Sequence, residues 1–535
     1  MNKRILIAAW IAVASVGALP ALAQDTLNGH KVRLDAAGRL EPWTGTGSRA
    51  YSQILSASWD FLLTKVPADA KTGLPVYLAY CCLNVEKGAG TAWPHNPAGL
   101  YAMFADSAAA WYAYSGDARV IDFERRLLDY QLAHGTTPLN WLWGGVPYAS
   151  SDHGATEYRG AYEFQYDNKQ PGRGDGYGVI EPDKVGELGF GYLKFYELTG
   201  DLRYRDAAIA CAGALARNIR PGDQEKSPWP FRVYAELGRV REEYSSNVSG
   251  AIALFDELAR LRLGETARYQ AARATAWKWL MEVPMRNNVW TGYFEDIPIA
   301  RDLSNLNQYS PMETARYLME HPEADPEWRT HVAGLIDFVQ KTFGGNRDKF
   351  PGMQWGAMTI SEQLGYVPKM GSHTSRYASV LARWAEINGD AAMADAAHRS
   401  LNWATYMCKP GGACYDAPDT EQGGLWFSDG YGDFIRHFLY AMGAQPQWAP
   451  DGENHILRST SVVKKVEYGA DRVAYSTFDK AGREVLRLRF VPRSVAEGAT
   501  KLVQRDAGDG PGWTFDPVLK VVRVHHVSSG DITIR

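Results

Sequence analysis

Cysteine is scarce in this sequence, five in 535 residues, which excludes a small domain stapled by disulfides. Basic residues never cluster into a long run, and 57 Lys and Arg stand against 61 Asp and Glu for a net charge of -4, so a nucleic-acid partner is not expected. There is no Walker-type phosphate loop, no dinucleotide-binding glycine fingerprint and no His-Glu-x-x-His motif. Nucleotide cofactors and zinc-protease chemistry therefore lack support. Cys81 and Cys82 are adjacent, Cys211 stands alone, and no Cys-x-x-Cys or Cys/His pairing occurs, so neither a metal nor another cofactor is expected. Cys408 and Cys414 flank a flexible Lys-Pro-Gly-Gly-Ala segment, which fits a disulfide or two ordinary loop cysteines equally well.

Long apolar runs are equally rare. Residues 1–23 carry Lys3 and Arg4, run apolar from Ile5 to Leu19 and end Ala21-Leu22-Ala23, the pattern of a cleaved secretory signal. The run is too short and Ala-rich for an anchor. A periplasmic or secreted protein starting near Gln24 is the expectation, with no membrane span in its mature form. Aromatics, by contrast, are plentiful: 18 Trp and 29 Tyr, rings that suit cores, interfaces and sugar faces alike.

The most informative pattern is a recurring turn. Ser115-Gly116-Asp117, Thr199-Gly200-Asp201, Leu263-Gly264-Glu265 and Asn388-Gly389-Asp390 each place a glycine able to end one helix before an acid able to start the next. The segments 321–325 and 442–446 stand at equivalent positions with altered chemistry. Before the turns lie helix patterns rich in small and aromatic residues, at 97–114, 182–198, 245–262, 308–320, 372–387 and 429–442. More charged helices follow five of them, at 118–134, 201–218, 265–282, 325–342 and 390–407, and 48–65 supplies the member preceding the first. The first set reads as inner and the second as outer.

Six such pairs favour closure into an (α/α)6 toroid. Over residues 40–450 the chain resembles the six-hairpin glycosidase superfamily and is similar to the toroidal domains of polysaccharide lyases. The resemblance implies a carbohydrate-active toroid, expected over 24–450. From about Asn454 the pattern changes to short strands, at Ser459–Val466, Arg472–Phe478, Glu484–Val491, Lys501–Gln504, Val518–Val524 and Asp531–Arg535. A small antiparallel, sandwich-like β domain is expected over 451–535, covering one side of the toroid.

Connections from outer to inner helices are long, so the face where inner helices begin should hold the cleft, with a potential that suits anions. Asp183 and Glu187 lie four apart at the start of the second inner helix, and Asp429 and Asp433 at the start of the sixth. Opposed across the pore, they are candidates for the acid and base of glycosidic hydrolysis. The competing reading makes Asp183 and Asp429 helix-start residues, puts Glu187 in a buried network and pairs Asp433 with Arg436 or His437. Tyr309 and His373, with Asn247 and Arg376, have the residue types used in toroidal uronate lyases, where a neutralised carboxylate allows proton removal. Trp93, His95, Asp175, Tyr177, Tyr244 and Trp426 are further candidates for sugar contact, and Arg159 and Arg232 could clamp a uronate carboxylate. Trp141, Trp143, Trp229, Trp290 and Trp355 serve either as stacking platforms or as pins for the loops. Glu295, Asp296 and Glu362 are spare acids on the same face.

The expected function is hydrolysis of a glycosidic bond in a poly- or oligosaccharide, with elimination from a uronate-containing glycan as the alternative. A helical-repeat glycan-binding protein without catalysis is the third reading. A sugar epimerase would draw on His95 and His373.

Overall fold

The chain reverses at the turns the sequence marks. Gly116, Gly200 and Gly389 end inner helices in the left-handed conformation, at φ 75°, 75° and 65°. Asp201 and Asp390 then cap the following helices by accepting the amides of Arg203 and Met393. The computed structural model describes residues 26–45, 47–75, 82–84, 89–90, 96–152, 154–162, 175–291, 305–347, 349–418, 425–506 and 510–535, without the side chains of 82–84, 89–90 and 425–431.

Twelve α-helices alternate along the described residues. The outer set is α1 (Ala50–Asp60), α3 (Arg119–His134), α5 (Leu202–Arg217), α7 (Thr266–Leu280), α9 (Trp328–Phe343) and α11 (Ala391–Thr405). The inner set is α2 (Pro97–Ser115), α4 (Pro182–Thr199), α6 (Ser249–Leu261), α8 (Tyr309–Glu320), α10 (Gly371–Asn388) and α12 (Ser428–Ala444). Each inner helix packs on the next, and α12 packs back on α2, which closes the ring. The fold is an (α/α)6 toroid of six helical hairpins.

Glycine sets how closely the inner helices approach. A Cβ on Gly186 of α4 would lie 2.5 Å from the backbone nitrogen of Ala251, and one on Gly250 of α6 would lie 2.9 Å from that of Glu187. The backbones of α4 and α6 therefore touch, which brings their first turns together.

Strands in the long loops stitch neighbouring helix starts. β1 (Val179–Ile180), just before α4, pairs antiparallel with β2 (Arg232–Tyr234), which pairs with β3 (Arg239–Glu242). The strand Leu425–Phe427 before α12 pairs with Cys82–Asn84 before α2. Cys408 and Cys414 form a disulfide, and buried Cys211 is unpaired, its thiol pushed up to about 12 by burial.

The C-terminal residues form two antiparallel sheets. β4 (His455–Ser459), β7 (Gly482–Arg487), β11 (Val521–His526) and β10 (Gly512–Asp516) make one, in that order. β5 (Val463–Tyr468), β6 (Val473–Thr477), β12 (Asp531–Ile534), β8 (Val495–Glu497) and β9 (Thr500–Lys501) make the other. The single strand expected at 459–466 is two, and β10, whose Gly and Trp carry no alternation, has no counterpart in the strand pattern.

These sheets cover the carboxyl ends of the inner helices. His455 stacks on Tyr114 in the last turn of α2, with ring centroids 4.0 Å apart. Arg458 pairs with Glu386 of α10 at 2.7 Å, and Asp479 with Arg260 of α6 at 2.7 Å. One apolar core runs from Ala50 through the inner helices to Ile534. The opposite pole, where the inner helices begin, is left to the long loops. Among the described residues no helix is long and apolar enough to cross a membrane.

The glycine packing is testable by one substitution at two places. Gly186→Ala is expected to destabilise the protein by about 1–3 kcal/mol through overpacking. Gly334→Ala, within α9 and facing open space, is expected to stabilise it by about 0.5–1 kcal/mol. Chemical denaturation of both variants gives the two signs.

Candidate active site at the amino-terminal pole

Three inner helices converge on one carboxylate. Glu187, in the second turn of α4, is 9% exposed. Its Oε1 accepts the Tyr309 hydroxyl from α8 at 2.8 Å and the Asn247 amide from the start of α6 at 2.8 Å. Its Oε2 lies 3.6 Å from the Lys184 ammonium. Asn247 Nδ2 is also 3.4 Å from Asp183 Oδ2, so the two acids share one amide donor. The oxygens of Asp183 and Glu187 are thus closer together than the roughly 6.5–9.5 Å that separates the carboxyls of an inverting hydrolase. Asp183 is half-buried and Glu187 buried, a difference that gives adjacent acids different tasks.

Tyr309 is held from two sides. Burial first, then Glu187, pushes its phenol well above its ordinary value, so it stays protonated and acts as a donor. The Arg376 guanidinium of α10 lies over its ring, 4.3 Å from the centroid. Arg376 Nε donates to Glu313 of α8 at 3.1 Å, Nη2 donates to Asp433 of α12, and Nη1 is 2.9 Å from His373 Nδ1. Gln308 Nε2 approaches the same His373 nitrogen at 2.5 Å, while His373 Nε2 is 3.5 Å from Glu362 Oε1. Asn247, Tyr309, His373 and Arg376 are therefore parts of one connected cluster that also holds Glu187.

Beneath this cluster the axis of the toroid is filled with charge. Asp433, 1% exposed, takes Arg376, Arg436 Nε at 2.9 Å and His437 Nε2 at 3.0 Å. Burial alone would raise its pKa; Arg376, Arg436 and His437 instead hold its carboxyl well below the usual range. Burial also pushes His437 down to about 3, so the neutral ring donates Nε2–H to Asp433. Of the acids expected to face Asp183 and Glu187, Asp433 thus has its charge balanced within the protein. Asp429 lies on the first turn of α12, and its side chain is outside the described residues, as is that of Trp426. Trp93, His95, Glu295 and Asp296 also lie outside them.

The remaining candidates divide by burial. Arg232 is 5% exposed and enclosed by Asp175 Oδ1 at 2.9 Å and Glu181 Oε1 at 2.7 Å, so its charge is spent on tying β2 to the start of α4. Asp175 also accepts the Ser150 hydroxyl. Tyr244 is buried, its hydroxyl donating to the Val289 carbonyl at 3.3 Å. Trp143, Trp229 and Trp290 are buried and pin the loops, whereas Trp141 and Trp355 are half-buried. Arg159 is exposed and lies 3.7 Å from Glu157. Tyr177 is exposed and stacks in parallel with Tyr162, with centroids 5.8 Å apart, forming a flat step on the rim. Asp152 fixes the step, accepting the Tyr177 hydroxyl at 2.8 Å and the Tyr162 amide at 2.7 Å.

Several members of the site carry weak sequence signals or none. Glu313 follows Tyr309 by four residues, the spacing that marks Asp183 and Glu187. Lys184 and Gln308 sit beside marked residues. Tyr162 and Asp416, a buried acid near the start of α10, fall in loops without periodicity. Among the described residues no group of three or more His, Cys, Asp or Glu side chains is arranged to hold a metal ion.

No protein-family model matches the chain, and no curated protein matches it. Solved structures do share its fold. A sugar epimerase from a ruminal bacterium superposes with a TM-score of 0.51 at 10% identity, over 74% of this chain and 99% of that one. Cellobiose 2-epimerases from Bacillus thermoamylovorans and Spirochaeta thermophila give 0.52 at 10% and 12% identity, over 74% of this chain and 98% and 96% of theirs. At such identities the likeness establishes the toroid alone.

Arg376 joins α8, α10 and α12, so Arg376→Met leaves Asp433 and Glu313 under-compensated in the core. A loss of about 3–5 kcal/mol is expected. Adding Asp433→Asn should recover part of it in urea unfolding, because the stranded charge is then removed.

Proposed function

We propose that the protein is a carbohydrate-active enzyme that hydrolyses a glycosidic bond, in a poly- or oligosaccharide containing uronic acid, at the amino-terminal pole. The observation that carries this reading is the convergence of Tyr309, Asn247 and Lys184 on Glu187, with Asp183 beside it. Three donors favour the ionised form of Glu187. In this reading Glu187 supplies the negative charge that meets the developing oxocarbenium ion or activates water, and half-exposed Asp183 gives a proton to the leaving oxygen. Asp433 holds Arg376 in place.

The rest of the pole supports a sugar ligand. The Tyr162–Tyr177 step offers a flat apolar face to a pyranose ring, and exposed Arg159 offers a charge to a uronate carboxylate. The inner-helix starts add a potential favourable to anions. By their names the epimerases sharing the fold act on sugars, which supports the same ligand class. The Cys408–Cys414 disulfide supports an oxidising, extracytoplasmic setting.

One observation favours elimination as a second reading. Tyr309, kept protonated, is a proton donor touching a cluster that includes Asn247, His373 and Arg376, the groups a uronate lyase needs to neutralise a carboxylate and move protons. A base drawn from His373 is less well served, since its Nδ1 faces the guanidinium of Arg376.

Incubation with uronate-containing and neutral polysaccharides separates the readings. Hydrolysis predicts new reducing ends without ultraviolet absorbance, whereas elimination adds the absorbance of a conjugated 4,5-unsaturated uronate. Glu187→Gln is expected to lower turnover about 10²–10⁴-fold while leaving the thermal midpoint near that of the wild type. Wild-type turnover in this variant contradicts the assignment. Tyr162→Ala should raise KM for long glycans several-fold with little change in kcat, as for a residue that binds away from the scissile bond.

A further inference from the structure

Two buried acids meet behind His373. Asp416 lies in the loop between α11 and α12 and is 2% exposed. Its backbone carbonyl accepts the Gly371 amide at 2.8 Å, which ties it to the first residue of α10. Its Oδ1 accepts the Ala417 amide at 2.8 Å, while its Oδ2 is buried without a hydrogen-bond partner. The groups facing it are Glu362 and the hydroxyl of Tyr366, both from the loop before α10. No cation is among them. Glu362, 7% exposed, has better company: His373 Nε2 at 3.5 Å and the Gln363 amide at 3.4 Å.

The proton positions follow from the donor inventory. Arg376 can only donate, and its Nη1 faces His373 Nδ1 at 2.9 Å. Nδ1 must therefore present its lone pair, and the ring proton sits on Nε2, directed at Glu362. A proton added to Nδ1 would point into a guanidinium, so the neutral form is favoured. Glu362, as the acceptor of Nε2–H, is the member of the acid pair that carries the charge. Two like charges in one buried pocket are costly, and the acid without a donor on its second oxygen takes the proton.

We propose that Asp416 is a positioning residue that acts through Glu362: it carries the proton of the buried acid pair, leaving Glu362 ionised to hold His373 as a neutral Nε2–H donor at the site. Burial, reinforced by Glu362, pushes Asp416 up to about 7, so the pair changes charge near neutrality. Ionisation of Asp416 adds a second negative charge behind Glu362 and tightens its pull on the His373 proton. Any effect on catalysis rests on the reading of this pole as the active site; the state of His373 does not.

The test is a pH titration of the full chain labelled with ¹⁵N-histidine, with the His373 signals assigned by their loss in His373→Asn. The expected result is the Nε2–H tautomer throughout, with an inflection of its nitrogen shift near pH 7 that disappears in Asp416→Asn. An Nδ1–H tautomer, an imidazolium at neutral pH, a flat wild-type titration or an inflection retained in Asp416→Asn overturns the proposal. If Asp416→Asn fails to fold, Glu362→Gln must shift the His373 tautomer populations or remove the inflection, and a signal unchanged in that variant overturns it too. Where the titration behaves as stated and no glycan is cleaved, the proposed function fails and this inference stands.

Discussion

The guanidinium of Arg376 sits where α8, α10 and α12 meet, bonded to Glu313 and Asp433 with its flat face on Tyr309. Its position decides more than any apolar contact nearby. It balances two carboxylates that could not be buried alone, fixes which faces of three helices point to the axis, and leaves the Tyr309 hydroxyl aimed at Glu187. Such a hub adds little net stability over apolar packing, but its removal strands charge in the core. Its value is orientation, and the site above it inherits that orientation.

The two poles of the toroid are treated oppositely. At the carboxyl ends of the inner helices, tight turns and two β sheets close the surface through stacking and ion pairs such as His455 on Tyr114 and Arg458 with Glu386. At the amino ends, long loops knit neighbouring helix starts by short strands and by buried pairs such as Arg232 with Glu181. Glycines 186 and 250 draw α4 and α6 together until Asn247 reaches Glu187. The site is built from the first turns of rigid helices, with the exposed aromatic step of Tyr162 and Tyr177 on a loop at its rim.

Much of the fold was legible because it rests on local rules. Gly200-Asp201 and Gly389-Asp390 encode a left-handed stop followed by a cap, and neither depends on distant residues. The helix starts carrying Asp183, Glu187, Asn247, Tyr309 and His373 follow from the same alternation. The fate of Asp433 was legible only in part: Arg436 and His437 stand one turn away, but Arg376 arrives from another helix, and sequence spacing carries no trace of that contact. Arg232 shows the same limit, since its partners Asp175 and Glu181 lie more than fifty residues away. Asp416 gives no signal at all, because its isolation from donors is a property of the folded loop and not of its neighbours in the chain.

The central claim is that a glycan engages the pole where the inner helices begin. Hydrogen–deuterium exchange with and without uronate-containing oligosaccharides measures this most directly. Added protection concentrated at the starts of α4, α6 and α8, over residues 181–190, 243–250 and 305–310, is the result the account predicts. Protection confined to the two C-terminal sheets, over residues 455–534, contradicts it.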